Sequence, residues 1–291
     1  MKKIGFIGLG VMGSPMSQNA VKAGFTVKGW NRTQENRPLV TQAKNNGVDV
    51  VSTIEEAVSN AEVICICVSD VPDVNEVIFS DRGIAKNAKQ GAIIIDFSTI
   101  GTQAVKEISA KLEPYGLSFM DAPVSGGDIG AQNGTLTIMV GGDKADYDRC
   151  LPIFQSMGKN ITYCGAVGSG QAVKLCNQVL CSLHMVALCE AMELAKTLNL
   201  DPNLIIDVCS TGAAGSWALS NLGSKVATSD FEPGFMIKHI LKDLRLVQES
   251  LQDKDLPGVT LADRMFETVK ELGGAEQGTQ AMIRAYQSSM S

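Results

Sequence analysis

Histidine is nearly absent from this chain: His184 and His239 are the only two among 291 residues. A mechanism built on several histidine ligands is thereby excluded, and no metal site is expected. Aromatic residues are scarce too, at 5%. Positive charge is in deficit, with 25 Lys and Arg against 31 Asp and Glu and a net charge of -6. A protein that neutralises nucleic-acid phosphates is normally basic, so no nucleic-acid partner is expected. No uninterrupted apolar run is long enough to span a bilayer, and no membrane association is expected. Met1-Lys2-Lys3 before an apolar stretch imitates a secretory leader, but glycines break the stretch. The eight cysteines include no CxxC pair, which removes the common zinc and thioredoxin spacings. Cys65 and Cys67 alternate in a strand-like run, and Cys176, Cys181 and Cys189 fall in a helix-like run. They read as buried, reduced thiols of a cytoplasmic protein.

What is present is a globular composition, 45% apolar and 19% charged, long enough for one large or two ordinary domains. The first half alternates short apolar runs with amphipathic stretches. Strands are expected at 3–7, 26–30, 63–68, 93–97, 118–121, 135–140 and 161–164, with helices between them such as 14–23, 53–59 and 102–112. That alternation predicts an α/β fold, a parallel doubly wound sheet covered on both faces, with a mixed part where later strands crowd together. After about Gly170 the strand signal stops. Residues 171–198 read as one long helix, apolar and so buried on most faces, ended by Asn199-Leu200-Asp201-Pro202. Helical patterns recur at 202–209, 235–252, 261–272 and 277–287. The expected division is a dinucleotide-binding domain at 1–164 and an all-α domain at 165–291, joined by the long helix.

The dinucleotide reading rests on Gly8, Gly10 and Gly13, a G-x-G-x-x-G spacing that follows a strand and opens a helix. Gly8 permits a tight turn, Gly10 lets backbone approach a pyrophosphate, and Gly13 lets helix and strand pack closely. Leu9, Val11 and Met12 complete a loop whose helix N-terminus offers N–H groups to phosphate. The second strand ends at Asn31-Arg32-Thr33, where an NAD site usually carries an acidic residue. A neutral amide does not repel a 2′-phosphate, and a guanidinium can pair with it. NADP is therefore the expected cofactor, with NAD possible. Val68, at the end of another strand, is expected on the adenosine side.

Four segments together resemble the β-hydroxyacid dehydrogenase family, the group of 3-hydroxyisobutyrate dehydrogenases, tartronate semialdehyde reductases and glyoxylate/succinic semialdehyde reductases. They are Phe6 to Met16, Asp121-Ala122-Pro123-Val124-Ser125-Gly126-Gly127, Gly170 to Asn177, and Lys242-Asp243-Leu244. They occur in the family order and span the chain. The resemblance implies a Rossmann-type domain followed by a helical domain like that of 6-phosphogluconate dehydrogenase. It also implies an NAD(P)-dependent enzyme acting on a small carboxylate, and a homo-oligomer, dimer or tetramer.

The resemblance makes Lys174 the general acid/base, in keeping with a lysine in the most apolar helix, whose burial would lower its pKa toward a useful range. It assigns Ser125, Gly126 and Gly127 to the substrate carboxylate; a Ser-Gly-Gly turn can present a hydroxyl and successive N–H groups to an anion. Thr99 is implied to touch cofactor and substrate, and so is Lys242. Asn177 and Gln178 follow Lys174 on its helix face and are assigned to substrate. Gln178 departs from the family, whose well-known members carry a second Asn there. A histidine stands at the Asn177 position in 6-phosphogluconate dehydrogenase, a longer chain, which argues against a phosphogluconate substrate. Trp217 and Phe231 are candidates for shaping the pocket. Two competing readings are a cofactor-binding scaffold without catalysis and an imine reductase. Imine reductases generally place another residue at the Lys174 position.

Overall fold

The computed structural model describes residues 2–35, 37–252 and 254–288. The chain divides into two compact units, 1–174 and 175–291. Unit 1 is built on a nine-stranded sheet: β1 (Lys3–Ile7), β2 (Thr26–Trp30), β3 (Asp49–Val50), β4 (Val63–Ile66), β5 (Ile93–Asp96), β6 (Ser118–Asp121), β7 (Val124–Ser125), β8 (Leu136–Gly141) and β9 (Gly158–Gly165). The order is β3-β2-β1-β4-β5-β6-β8-β7, with β9 on β8. Strands β1 to β6 pair in parallel, β8 runs antiparallel to β6 and β7, and β9 returns parallel to β8. The sheet is therefore parallel and then mixed, as the crowding of later strands predicts.

Every residue of β4 and β5 is buried, which is what helices on both faces require and why these strands read as continuous apolar runs. Successive side chains feed two cores. Phe6, Cys65, Ile93 and Ile95 join Met16, Leu136 and Phe154 on one face. Ile7, Ile64, Ile66 and Ile94 join Val74, Ile84 and Leu112 on the other. The chain runs outward from β1 through β2 to β3 on one side and from β4 through β5 to β6 on the other. The reversal lies between β1 and β4, and ligands of such sheets bind outside the strand C-termini at that point.

Several elements escape the sequence reading. The two-residue strands β3 and β7 are too short to show a period. The helix Lys144–Met157 contains Pro152, which masks it, yet Asp143 caps it by accepting from Ala145 N (2.8 Å) and Asp146 N (3.1 Å). The helix Trp217–Ala227 is likewise capped, by Ser216 Oγ accepting from Leu219 N.

Unit 2 is helical around Leu175, Cys189, Ile240, Leu244, Phe266 and Val269. Its helix Ile237–Glu249 buries Ile237, Ile240, Leu241, Leu244 and Val247, the apolar stripe of an amphipathic helix. The long helix is continuous over Ser169–Thr197, 29 residues, so its first turns lie in unit 1 and the rest in unit 2. Its length and composition would suffice to cross a bilayer, as those of many core helices do, and 44% of its most apolar window is buried. Burial on most faces does not hold: Leu180 and Leu194 are each 59% exposed.

Candidate active site

In unit 1, a cleft of about 630 Å³ opens at the sheet reversal. Its walls include Gly8, Leu9, Gly10 and Val11 after β1, Asn31, Arg32 and Thr33 after β2, and Val68 after β4. Eight of the residues expected to hold the dinucleotide thus meet at one place. Met12 and Gly13 stand behind them, as N-cap and first residue of the helix Gly13–Lys22; Thr99 is off this wall. The glycines divide by purpose. Gly8 has φ +97°, and a Cβ there would fall 2.2 Å from Cys67 O; at Gly13 it would fall 1.9 Å from Gly8 O. Both are required by the fold. At Gly10 a Cβ would meet nothing within 4 Å. Gly10 is thus dispensable to the chain's own packing, as expected of a cradle shaped for something else. No side chain caps the helix Gly13–Lys22; its first turn is closed by backbone, Ser14 N donating to Gly10 O (3.0 Å) and Met16 N to Met12 O (3.2 Å), and Pro15 has no N–H, so the helix offers an anion its positive end rather than a row of free donors. These residues fit a dinucleotide pyrophosphate.

Asn31 does more than avoid repulsion. Its Oδ1 accepts from Leu9 N at 2.9 Å and its Nδ2 donates to Thr33 O at 2.6 Å, tying the glycine turn to the end of β2. A carboxylate could not make the second bond. Arg32 is exposed and pairs with Asp73 (2.8 Å) and Glu76 (3.5 Å), both on the cleft wall with Arg37 and Arg82. Sequence reasoning missed this acidic pair. Its signal was Asp70, the N-cap that starts the helix Val71–Phe79 and so sets Asp73 and Glu76 on one face.

The ends of β5 and β6 hold a second group in unit 1. Lys174 is 6% exposed. One turn before it, Gln171 is wholly buried: its Oε1 accepts from Ile100 N (3.1 Å) and Gly101 N (3.0 Å), and its Nε2 donates to Ser98 O (2.8 Å). These bonds flank half-buried Thr99 on both sides. Ser98 Oγ in turn accepts from Val68 N at 3.0 Å. Asp121, at the end of β6, accepts from Gly168 N (2.7 Å) and Gln171 N (2.8 Å). Burial pushes its carboxyl above the usual range, against the opposing pull of those N–H groups. Ser125 ends β7, half-buried, and Gly126 and Gly127 turn into the helix Gly127–Asn133 with φ of 130° and 64°.

In unit 2, Gln178 is 3% exposed and donates to Asp243 Oδ2 at 2.5 Å. Asp243 Oδ1 pairs with Lys242 Nζ at 2.8 Å, and Gln178 Oε1 accepts from Asn177 Nδ2 at 2.9 Å. The longer amide at 178 therefore links the expected substrate residue Asn177 to the expected Lys242. Phe231 packs against the unit 2 core, whereas Trp217 is 64% exposed.

All eight cysteines are free. Only Cys65, Cys150 and Cys189 are buried; Cys176 and Cys181 are exposed, so uniform burial is corrected. Both lie on the open stripe of the long helix. Desolvation pushes the Cys150 thiol up to about 12, leaving it inert. Among the described residues, no group of three or more His, Cys, Asp or Glu could hold a metal ion.

Two family models match the chain. One, described as the NAD binding domain of 6-phosphogluconate dehydrogenase, matches residues 3–165. The other, described as NAD-binding of NADP-dependent 3-hydroxyisobutyrate dehydrogenase, matches residues 168–286. An uncharacterized oxidoreductase of Synechocystis is 56% identical over 98% of this chain and 98% of its own. The 2-hydroxy-3-oxopropionate reductase of Escherichia coli is 35% identical over 97% of this chain and 96% of its own. A solved Mycobacterium tuberculosis 3-hydroxyisobutyrate dehydrogenase, with L-serine, is 32% identical at a TM-score of 0.87, covering 98% of this chain and 99% of its own. An imine reductase from Pseudomonas matches 98% of this chain and 99% of its own at a TM-score of 0.64 and 18% identity, a likeness of fold alone.

Proposed function

Because the chain belongs to the β-hydroxyacid dehydrogenase family, as an NAD(P)-dependent oxidoreductase of the 3-hydroxyisobutyrate dehydrogenase type, we propose that it interconverts a small 3-hydroxy acid and its semialdehyde with Lys174 as general acid/base. The observation that carries this reading is the burial of Lys174, 6% exposed, one turn beyond a side chain bonded to backbone on both sides of Thr99. A buried ammonium is costly unless it is paired and hydrogen-bonded, so a lysine held there needs surroundings built for it.

The nicotinamide, when bound, supplies or accepts the hydride. The chain supplies the rest. The turn from Gly8 to Gly13 and the uncapped helix behind it hold the pyrophosphate. Ser125, Gly126 and Gly127 receive the substrate carboxylate, with Thr99, Asn177 and Lys242 contributing contacts. Gln178 acts by linking Asn177 to Asp243. In reduction Lys174 gives a proton to the carbonyl oxygen; in oxidation it takes the hydroxyl proton.

NADP is favoured over NAD. Asn31 presents no charge to a 2′-phosphate, and Arg32, Arg37 and Arg82 line the cleft. Asp73 and Glu76 temper that preference, since a phosphate must compete with them for Arg32. Homo-oligomer formation is supported by exposed Leu180, Leu194, Leu204 and Val208 in unit 2. A cytoplasmic location is supported by eight free thiols.

The test follows the loss of NADPH or NADH absorbance with succinic semialdehyde, glyoxylate, methylmalonate semialdehyde and tartronate semialdehyde. Turnover of at least one, abolished by Lys174→Ala, is expected. Demonstrable cofactor binding without turnover of any would overturn the assignment.

A further inference from the structure

We propose that Asp121 and Gln171 are positioning residues for Lys174, a two-part anchor that fixes the first turn of the long helix against the ends of β5 and β6. This rests on the reading of Lys174 as the general acid/base.

Asp121 is 0% exposed and uses both carboxylate oxygens: Oδ1 accepts from Gly168 N at 2.7 Å and Oδ2 from Gln171 N at 2.8 Å. Those are N–H groups at the start of the helix Ser169–Thr197, which has no partners for them within itself. The negative charge also sits at the positive end of a 29-residue helix, where it is most favourable. The cap comes from a strand 50 sequence positions away, so it fixes the helix start to the sheet rather than merely finishing the helix.

Gln171 supplies the second half. Three hydrogen bonds, from Ile100 N and Gly101 N and to Ser98 O, prevent the first turn from rotating about its axis. The surrounding backbone is cut to fit. A Cβ at Gly170 would stand 2.8 Å from Asp121 Oδ2 and 2.3 Å from Met139 O, and one at Gly141 would stand 2.6 Å from Asp121 Oδ1. Lys174 follows Gln171 at i+3, on the same helix face, so a shift or twist of the anchor moves the ammonium with it. A misplacement of about 1 Å at a reacting group can cost on the order of 100-fold in rate.

The experiment compares Asp121→Asn with wild type. An amide keeps one acceptor and turns an N–H₂ toward the other N–H, which breaks one bond of the cap without changing volume. Expected are native circular dichroism, cofactor Kd within about twofold, kcat lowered by about tenfold or more, and a displaced limb in the pH profile of kcat. A purely structural role would lower Tm and leave kcat and its pH profile alone. A folded Asp121→Asn enzyme with wild-type kcat and pH profile overturns the proposal. Should Asp121→Asn not accumulate as folded protein, Gln171→Met is read by the same criteria. Lys174→Ala separates the two ideas. If it stays active, the general acid/base reading fails. If it is inactive while the anchor variants behave as wild type, the anchor alone fails.

Discussion

Three residues carry predictions of their own. Arg32 pairs with Asp73 and Glu76 on the cleft wall. Arg32→Ala is expected to raise KM for NADPH by about tenfold, the scale of a lost charge-assisted contact, and to leave KM for NADH nearly unchanged. Asp73→Asn should lower KM for NADPH by relieving the competition. Equal effects of Arg32→Ala on both cofactors would refute the 2′-phosphate assignment. His239 is half-buried, its ring tilted by 30° against Phe235 with centroids 5.9 Å apart. Burial holds its imidazole below the ordinary 6.5, Lys238 and Lys242 push the same way, and Asp243 and Glu276 oppose them. The unfolded chain takes up that proton first as pH falls. Stability from neutral His239 is therefore present above 6.5 and lost on acidification toward the lowered value. Urea midpoints at roughly pH 7.5 and 5.5 should fall less in His239→Gln than in wild type. Residue chemistry of this kind is partly legible in sequence. Asn31 and Arg32 stand out for replacing an acid, but the partners that occupy them lie tens of positions away.

At the scale of elements, the glycine-rich turn separates a demand of the fold from a demand of a ligand. Gly13→Ala forces a Cβ against Gly8 O and should reduce soluble expression or lower Tm markedly. Gly10→Ala meets open space and should fold as wild type while weakening cofactor binding by about tenfold or more, read by fluorescence titration. Equal Tm losses in the two variants would contradict this division. Elements were legible where hydrophobic period and length agree: β1, β2 and β6 fall at their expected residues, and the long helix within two residues at its start. Elsewhere capping or tertiary packing decides the outcome. The two-residue strands owe their existence to neighbours, which no local pattern reports, and the helix with internal Pro152 announces itself only through its cap, Asp143.

The whole molecule exposes an apolar set in unit 2 that includes Leu180, Leu194, Leu204 and Val208. Sedimentation or light scattering should return a small multiple of the 30.9 kDa chain mass, and Leu194→Glu should shift that equilibrium toward the monomer. A monodisperse monomer for wild type would remove homo-oligomerisation. The motifs of the candidate site were legible as four separate segments. Their bracing was not, because Asp121 meets Gly168 and Gln171, and Gln178 meets Asp243, only through folding. The division of the long helix has a consequence for how such chains can be shuffled. The two units divide after Lys174, within the first two turns of a continuous helix, whereas the family models change over between 165 and 168. A crossover at the family boundary would give Lys174 to one parent and its Asp121 anchor to the other. A crossover after Lys174 would splice two parents within one helix. The halves are therefore poor cassettes for exchange, and a viable chimera must match its parents along the whole first turn of that helix.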